Sequence, residues 1–258
     1  MIRFTSLGSG SSGNATVIQA HGEFRLSHLL VDCGLGIREL DKRLGRAGML
    51  AEQIDAIFVT HEHADHIGCA RQLALRERIP VWMSHGTYMA MGEPDFDGLL
   101  RIACDMVPIE IGAMQVVPFT VPHDAREPLQ LTCGDGASRL GVLTDLGHAT
   151  SHVLGQLAGC GTLLLECNHD AEMLATGSYP YFLKRRVGGA YGHLANEASA
   201  AIALAMRAAG LKQVVAAHLS EQNNRPELAR RALAAAMECS EEEIHVADGA
   251  NGCGWLTA

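Results

Sequence analysis

Short apolar runs alternate with amphipathic segments along this chain, and the alternation predicts strands interleaved with helices. The chain begins with two strands of alternating apolar and polar residues at 1–8 and 15–20. A fully apolar run at 29–31 predicts a buried strand, and the helix after it places Leu40 and Leu44 on one face. The opening of the chain therefore predicts strands packed against an amphipathic helix.

A second series of strands and helices continues to the end of the sequence. An apolar run at 57–59 precedes a helical pattern at 67–77, and the segment 92–102 predicts a loop with weak helical character. His85 follows a strand beside Gly86, where we expect a turn. Further strands are predicted at 80–84, 114–121, 129–133, 140–144, 162–165 and 213–217, helices at 196–208 and 226–237, and short strands at 245–247 and 254–256.

The 258 residues predict a single domain with an α/β fold. Pro, Gly and Ser are dispersed, so no segment has the composition of a linker, and no repeat is evident. Hydrophobic residues make up 48% of the chain, which is enough for a sizeable core. We expect one domain over residues 1–258, within which the two series of elements allow internal pseudo-symmetry.

Composition favours a cytoplasmic protein with no membrane partner. The N-terminal strand does not resemble a secretory signal, and no apolar run has membrane-spanning length. The eight cysteines form no Cys-x-x-Cys pair, which predicts reduced thiols. A net charge of −9 disfavours a broad basic face for nonspecific nucleic-acid binding. A metal-centred phosphodiester site is still compatible, because bound cations add positive charge.

Candidate metal ligands are concentrated in residues 60–66, between an apolar strand and a helical pattern. His61 and His63 are two residues apart in extended chain, so both can face one ion. The turn into the helix directs Asp65 and His66 elsewhere, and one loop could then serve two adjacent metals. A polar surface turn is the competing interpretation, but imidazoles and carboxylates rarely cluster in this way by accident.

Several other strands also end in a polar residue that could reach the same site. Asp32 could orient a metal ligand or merely cap its turn. Each of the others would be an ordinary edge or turn residue if it stood alone, and gains weight beside the loop at 60–66. These residues are His123, Asp145, Glu166 and His218.

Two segments are candidates for substrate contacts. The glycine-rich loop at 8–14 is either a hairpin turn or a turn that also lines the site, and it lacks the ending of a P-loop. The segment 178–186 combines aromatic residues with three consecutive cations. Those cations could hold a substrate phosphate or could form a solvated helix face, and the sequence favours neither.

Residues 61–66 resemble the His-x-His-x-Asp-His signature of the metallo-β-lactamase superfamily, whose fold is a four-layer αββα sandwich. The order of Asp32, this loop, His123, Asp145 and His218 matches the ligand order of that superfamily. The resemblance implies a first metal held by His61, His63 and His123, a second held by Asp65, His66 and His218, and Asp145 as a bridge. It implies two divalent ions, zinc first, with manganese or iron also accommodated.

In such a site the ions stand about 3.5–4 Å apart and share a water, whose hydroxide would be the nucleophile. Glu166 and His193 resemble a pair in ribonuclease Z-type nucleases that helps to protonate the leaving oxygen. A positioned general acid suits an alkoxide leaving group. The implied catalytic residues are His193, Glu166 and Asp65. A core histidine bonded to a carboxylate is the alternative for the pair.

Further motifs are similar to the YycJ/WalJ-type branch, regarded as 5′ exonucleases acting on DNA. They lie at 7–14, 166–170, 192–197 and 217–224. The resemblance implies a 5′-to-3′ exonuclease with a DNA substrate, and we expect no β-CASP insertion. Apolar strands and acidic charge are compatible with a monomer or a homodimer. The candidate substrate-binding residues are Ser11, Asn14, Asn168, Lys184, Arg185 and Asn223.

Two other functions compete with the nuclease. A small-molecule hydrolase, such as a cyclic phosphodiesterase, lactonase or thioesterase, would use the same metals, and the acidic net charge favours it. A regulatory or scaffold protein that binds metal without catalysis is expected to lack one of the metal ligands. In this sequence all of them are present.

Overall fold

Two mixed β-sheets lie face to face in the computed structural model, which describes residues 1–23 and 25–258. The first sheet contains β1 (Ile2–Gly8), β2 (Ala15–His21), β3 (Leu26–Val31), β4 (Ala56–Phe58), β5 (Val81–Met83), β6 (Leu100–Ile102) and β14 (Leu256–Thr257). The second sheet contains β7 (Ile109–Ile111), β8 (Met114–Thr120), β9 (Leu129–Gly134), β10 (Arg139–Leu143), β11 (Thr162–Glu166), β12 (Gln213–Ala217) and β13 (His245–Val246).

The two sheets repeat one plan of strand directions. In the first, β14, β1, β2 and β3 pair antiparallel, and β3 to β6 then pair parallel. In the second, β7 to β10 pair antiparallel, and β10 to β13 pair parallel. The expected pseudo-symmetry is therefore present in the strand order. Parallel strands carry their connections over the sheet faces, where helices cover them.

Helices cover the outer faces of both sheets. The helices are α1 (Ile37–Arg46), α2 (Ala64–Ile67), α3 (Ala70–Glu77), α4 (His85–Ala90), α5 (Ser151–Leu157), α6 (Ala171–Thr176), α7 (Tyr181–Val187), α8 (Asn196–Ala208) and α9 (Pro226–Met237), with 3₁₀ turns at Ala51–Gln53 and Glu241–Glu243. Two of them, α6 and α7, contribute no described residue to the hydrophobic clusters on those outer faces. Within the described residues, no helix has the length and the apolar character needed to cross a membrane.

Three hydrophobic clusters separate four layers. Phe4, Leu29 and Val142 belong to the cluster between the two sheets. Leu40 of α1 and Leu73 of α3 pack on the outer face of the first sheet. The second sheet is covered in the same way by α5, α8 and α9. The four-layer αββα prediction is confirmed, and the sheets are buried on both faces, which explains their fully apolar strands.

Three local predictions were wrong. The helix predicted at 67–77 begins only at Ala70, because the preceding α2 ends at Gly68, which has φ +23° and where a Cβ would lie 2.4 Å from the Cys33 carbonyl oxygen. His85 begins α4 instead of standing in a turn, since Ser84 Oγ accepts from Thr87 N at 3.0 Å and caps the helix. The segment 92–102 ends in strand β6, which pairs with β5.

Candidate metal centre

Polar side chains follow the strands of both sheets at the ends where those strands finish. Asp32 comes directly after β3, and the loop at 60–66 follows β4. In the second sheet, Asp145 follows β10, Glu166 ends β11 and His218 follows β12. Neighbouring parallel strands deliver their carboxyl ends to one edge, which is where α/β proteins bind ligands.

Three of these strand ends have an unusual backbone conformation. Asp32, Asp145 and His218 have φ values of 61°, 55° and 52°, in the left-handed region. Asp and His enter this region more readily than most residues, although it still carries strain. Such strain is concentrated at functional sites.

Three imidazole nitrogens converge in the first ligand group. His61 Nε2 lies 3.0 Å from His63 Nδ1, which lies 3.4 Å from His123 Nε2. The opposite nitrogens are occupied, because His61 Nδ1 lies 3.0 Å from Thr60 Oγ1 and His123 Nδ1 lies 3.1 Å from the Gly192 carbonyl oxygen. Burial lowers the pKa of both His61 and His123. Neutral rings with inward lone pairs suit a metal ion.

The second group joins one carboxylate to two imidazoles. Asp65 Oδ2 lies 3.6 Å from His66 Nε2 and 3.5 Å from His218 Nε2. The other nitrogen of each ring faces a buried carboxylate: His66 Nδ1 lies 2.7 Å from Asp32 Oδ2, and His218 Nδ1 lies 3.2 Å from Glu166 Oε1. A carboxylate behind each imidazole fixes the tautomer that leaves Nε2 free, as at metal sites.

Asp145 lies between the two groups. Its Oδ2 is 3.1 Å from His66 Nε2, and one ligand atom each from Asp145, His61 and His66 lie within 4.8 Å of one another. The Oδ2 of Asp145 and the Nε2 of His218 are buried without a hydrogen-bond partner. Both are natural metal-donor atoms, so these orphaned atoms fit a bound cation.

The charges of the cluster also favour cations. Burial alone would lower the pKa of His66, but Asp145 and Asp32 hold it well above its usual range. Burial would also lower the pKa of His218, but Asp145 and neighbouring carboxylates raise it to about 10. The site therefore has an excess of buried carboxylate charge. Its nitrogen and oxygen donors, with no thiolate, suit zinc and also manganese or iron.

Asp32 orients ligands of both groups. Its carboxylate accepts from His66 Nδ1 and from Thr60 Oγ1, and the Thr60 oxygen in turn faces His61 Nδ1. The prediction that Asp32 could orient a ligand is matched by these contacts. A carboxylate has no proton to donate, so both neighbours must donate to it.

Asp32→Asn is therefore expected to weaken metal binding by about 10- to 100-fold, because one of these donors would face an amide N–H. Asn tolerates the left-handed backbone at position 32, so the fold should be kept. The measurement is competition for zinc with a chromophoric chelator. Asp97→Asn is the matched control, since Asp97 has φ 52° and pairs with Arg78 at the surface. Equal zinc affinity in both variants would contradict the orienting role.

A second carboxylate and imidazole pair lies beside the ligand groups. His193 Nδ1 lies 2.8 Å from Glu166 Oε1, and the Glu166 carboxylate is fully buried. Glu166 Oε2 accepts from the backbone N–H groups of Leu146 and Leu194, each at 3.1 Å. Burial alone would lower the pKa of His193, but Glu166 raises it. With Nδ1 committed to Glu166, Nε2 is the nitrogen left to face a substrate.

A cleft of about 260 Å³ opens over these groups. Of the predicted substrate-binding residues, Ser11 lines it, together with His63, Asp65, Asp145, His193 and His218. Asp124 and Arg186 also line it, although neither is among the predicted substrate-binding residues, and a contact of 2.6 Å joins Arg186 Nε to Asp124 Oδ2. A larger depression of about 750 Å³, near Glu110 and Arg139, contains none of the predicted ligands.

The other predicted substrate-binding residues lie outside the cleft lining. Asn14, Asn168 and Asn223 are buried. Asn14 Nδ2 lies 3.1 Å from both the Asp65 carbonyl oxygen and His66 Nε2, and Asn168 Nδ2 donates to the His218 carbonyl oxygen at 3.1 Å. These two asparagines therefore support the ligand loops. The glycine-rich loop lines the site as well as turning the chain.

The cations that were predicted to hold phosphate lie on α7. Lys184 Nζ donates to the Ala175 carbonyl oxygen at 2.7 Å, and the Arg185 guanidinium lies 5.9 Å from the Tyr181 ring centroid. Arg186, the third of the run, is the one that reaches the cleft. Consecutive helical residues point in different directions, so three adjacent cations could not be told apart without the position of α7.

Comparisons with known proteins agree with this fold and site. The family model described as the Metallo-beta-lactamase superfamily matches residues 8–165. The chain is 34% identical to Exodeoxyribonuclease YycJ of Bacillus anthracis, across 92% of this chain and 89% of that protein. It is 31% identical to Exodeoxyribonuclease WalJ of Streptococcus pneumoniae, across 88% of this chain and 85% of that protein. The metallo-beta-lactamase fold protein YhfI from Bacillus subtilis shares the fold over all of both chains, with a TM-score of 0.76 at 17% identity.

Proposed function

Because the chain belongs to the metallo-β-lactamase superfamily and is a hydrolase of that superfamily, we propose that it cleaves phosphodiester bonds in DNA with two divalent metal ions. We propose further that it releases nucleotides from the 5′ end. The observation that carries the proposal is the Glu166–His193 pair beside the ligand groups, with 2.8 Å between Oε1 and Nδ1. The relatives named exodeoxyribonuclease support DNA as the substrate.

Seven residues would hold the metals. The first ion would be bound by His61, His63 and His123, and the second by Asp65, His66 and His218, with Asp145 shared between them. When bound there, divalent ions would supply Lewis-acid chemistry, polarising the phosphate and lowering the pKa of a water molecule toward neutrality. No Ser or Cys of the chain then has to attack. Zinc is the first choice, and manganese or iron would fit the same donors.

His193 is the proposed general acid. A nucleotide alkoxide is a poor leaving group, so a proton delivered to its oxygen lowers the barrier. Glu166 accepts from His193 Nδ1, which orients the ring and favours the protonated form, and Nε2 then donates to the leaving oxygen. His193 and His218 lower the pKa of Glu166 against the effect of burial, and the two backbone N–H groups on Oε2 fix the position of its carboxylate. Asp65 acts in catalysis through its place in the second ligand group.

The chain also supports proposals on its organisation and location. We propose that residues 1–258 work as one domain without a β-CASP insertion, since each sheet of the described chain packs on the other through one shared cluster. A cytoplasmic location is consistent with eight cysteines that are all free in the structure.

Small-molecule hydrolysis is the second candidate, and one observation favours it. The net charge of −9 does not attract a polyanion. A cyclic phosphodiester, a lactone or a thioester would each fit the same ligand groups. Glu166 and His193 argue against the carboxylic esters, whose cleavage needs a strong acid less.

The two candidates separate in one substrate panel. Purified protein with zinc or manganese is incubated with single- and double-stranded DNA, with bis-p-nitrophenyl phosphate and with a lactone. We expect nucleotides from DNA and p-nitrophenol from the activated diester, both abolished by chelation. Hydrolysis of the lactone, or of the activated diester alone with DNA left intact, would move the function to small molecules.

A further inference from the structure

Exposed aromatic side chains are gathered in one short segment beside the cleft. Tyr181, Phe182 and Tyr191 are 76%, 72% and 62% exposed. Among the large hydrophobic side chains that are exposed in the described residues, these three are the aromatic ones. Tyr181 and Phe182 are adjacent in sequence, and neighbouring exposed rings are typical of a binding surface. We call residues 181–191 the aromatic segment.

The same segment concentrates positive charge on an acidic protein. Lys184, Arg185 and Arg186 are three consecutive cations in a chain whose net charge is −9. Arg185 and Tyr181 are adjacent, at 5.9 Å from guanidinium carbon to ring centroid. Arg186 uses Nε for its pair with Asp124, which holds the guanidinium at the cleft and leaves its terminal nitrogens available. Exposed rings and cations in one segment match the bases and phosphates of a nucleic-acid strand.

The aromatic segment is joined firmly to the reacting groups. Its C-terminal end leads directly into Gly192 and His193, and His193 N donates to the Val187 carbonyl oxygen at 2.7 Å. The Gly192 carbonyl oxygen lies 3.1 Å from His123 Nδ1, behind a proposed metal ligand. Gly147 packs on Ala190 so closely that a Cβ at 147 would lie 2.1 Å from its carbonyl oxygen. A strand bound to the segment would thus be held at a fixed position relative to His193.

The size of the cleft requires such an outer surface. At about 260 Å³ it is below the usual range of small-molecule sites, so it accepts little more than the reacting nucleotide. The remainder of a polymer must lie along the rim. Arg186 and Val187 form part of that rim and belong to the aromatic segment.

We propose that the aromatic segment binds the single-stranded part of a nucleic-acid substrate next to the scissile phosphate. The rings of Tyr181, Phe182 and Tyr191 stack on unpaired bases, while Lys184 and Arg185 contact phosphates. Stacking needs bases that are free of a complementary strand, so the segment selects single-stranded ends over blunt duplex. This proposal rests on the proposed function, because it assigns a subsite to the same nuclease site.

The test removes the rings without touching the cleft. In the double variant Tyr181→Ser with Phe182→Ser, both side chains are mostly exposed, so the fold should be kept. We expect the Kd for a short single-stranded oligodeoxynucleotide, measured by fluorescence anisotropy, to rise about tenfold or more. The Kd for blunt duplex should change by less than about threefold, and kcat/KM for bis-p-nitrophenyl phosphate should stay within about twofold. Tyr191→Ser should reproduce the effect more weakly.

Matched controls are Leu204→Ser and Arg231→Gln, which remove an exposed apolar residue on α8 and an exposed cation on α9. Both should leave every Kd unchanged. Arg185→Gln should weaken binding of the single-stranded oligodeoxynucleotide and reduce the dependence of its Kd on salt concentration. The same loss with single-stranded RNA would also support a nucleic-acid surface.

Three results would overturn the proposal. The first is that the ring variants bind single-stranded DNA as tightly as the wild type. The second is that they bind single-stranded DNA and duplex more weakly by the same factor. The third is that they lose binding to phosphatidylserine vesicles but not to DNA. In each case the proposed function would stand, since wild-type digestion of DNA is unaffected. A wild type that hydrolyses the activated diester but neither binds nor cleaves DNA would instead reject the proposed function, and this inference with it.

Discussion

Replacing His61 with alanine is expected to abolish turnover of every substrate and to release bound metal. His61 Nε2 faces the first ligand group, and its ring lies within reach of Asp145 and His66 of the second. Loss of one buried ligand from a group of three leaves a weak two-nitrogen site. Without metal, water near pH 7 is a poor nucleophile, so kcat should fall by about a thousandfold or more.

Metal content shows whether the loss of activity in His61→Ala comes from loss of metal. Elemental analysis after dialysis should find about two ions per wild-type chain and about one or fewer in His61→Ala. Asp145→Asn should behave in the same way, and Asn is preferred to Ala because the backbone at 145 is left-handed at φ 55°. His245→Ala, at an exposed strand position, is the control and should keep both metal and activity. A His61→Ala protein with full metal and full rate would show that the ions are bound elsewhere.

Replacing His193 with alanine is expected to give the opposite combination, a slow enzyme with its metals in place. His193 lies 2.8 Å from Glu166 and outside the two proposed ligand sets, so metal content should be unchanged. Loss of a general acid costs about 10²- to 10⁴-fold in rate on a poor leaving group. The expected result is a drop of that size in kcat for DNA.

The leaving group supplies the decisive comparison. p-Nitrophenolate departs without protonation, so bis-p-nitrophenyl phosphate should lose less than about tenfold in His193→Ala. Glu166→Gln should instead lower activity on both substrates and weaken metal binding, because Glu166 Oε1 contacts both His193 Nδ1 and His218 Nδ1. His152→Ala is the control, as His152 pairs with Asp105 away from the ligand groups. Full activity of His193→Ala on DNA would refute the general-acid role.

Much of the fold could be predicted because its strands are short, apolar and covered on both faces. The run at 57–59 is fully buried in the structure, with β4 between two parallel neighbours. The features that were missed depend on distant contacts. β6 is a strand because β5 lies beside it, and Gly68 ends a helix because the Cys33 carbonyl oxygen approaches it. Neither contact leaves a local pattern in the sequence.

The candidate ligands could be predicted because the motif at 61–66 is local and its chemistry is specific. Residues distant in sequence, from Asp32 to His218, joined it through their places at strand ends, and the structure brings them together. Substrate contacts followed no such rule. Whether Asn14 faces solvent or supports Asp65, and which of three adjacent cations reaches the cleft, depends on how each element is placed. Arg186 was missed for that reason.

End-blocked DNA distinguishes a metal-dependent exonuclease that begins at the 5′ end from the alternatives. Single-stranded DNA is prepared with phosphorothioate linkages at the 5′ end, at the 3′ end or at neither, and is digested with purified protein and zinc or manganese. We expect stepwise shortening of the unblocked and 3′-blocked strands, protection of the 5′-blocked strand, and no digestion after chelation. Intact DNA in all three cases, while bis-p-nitrophenyl phosphate is hydrolysed by the same preparation, would contradict the proposed exonuclease.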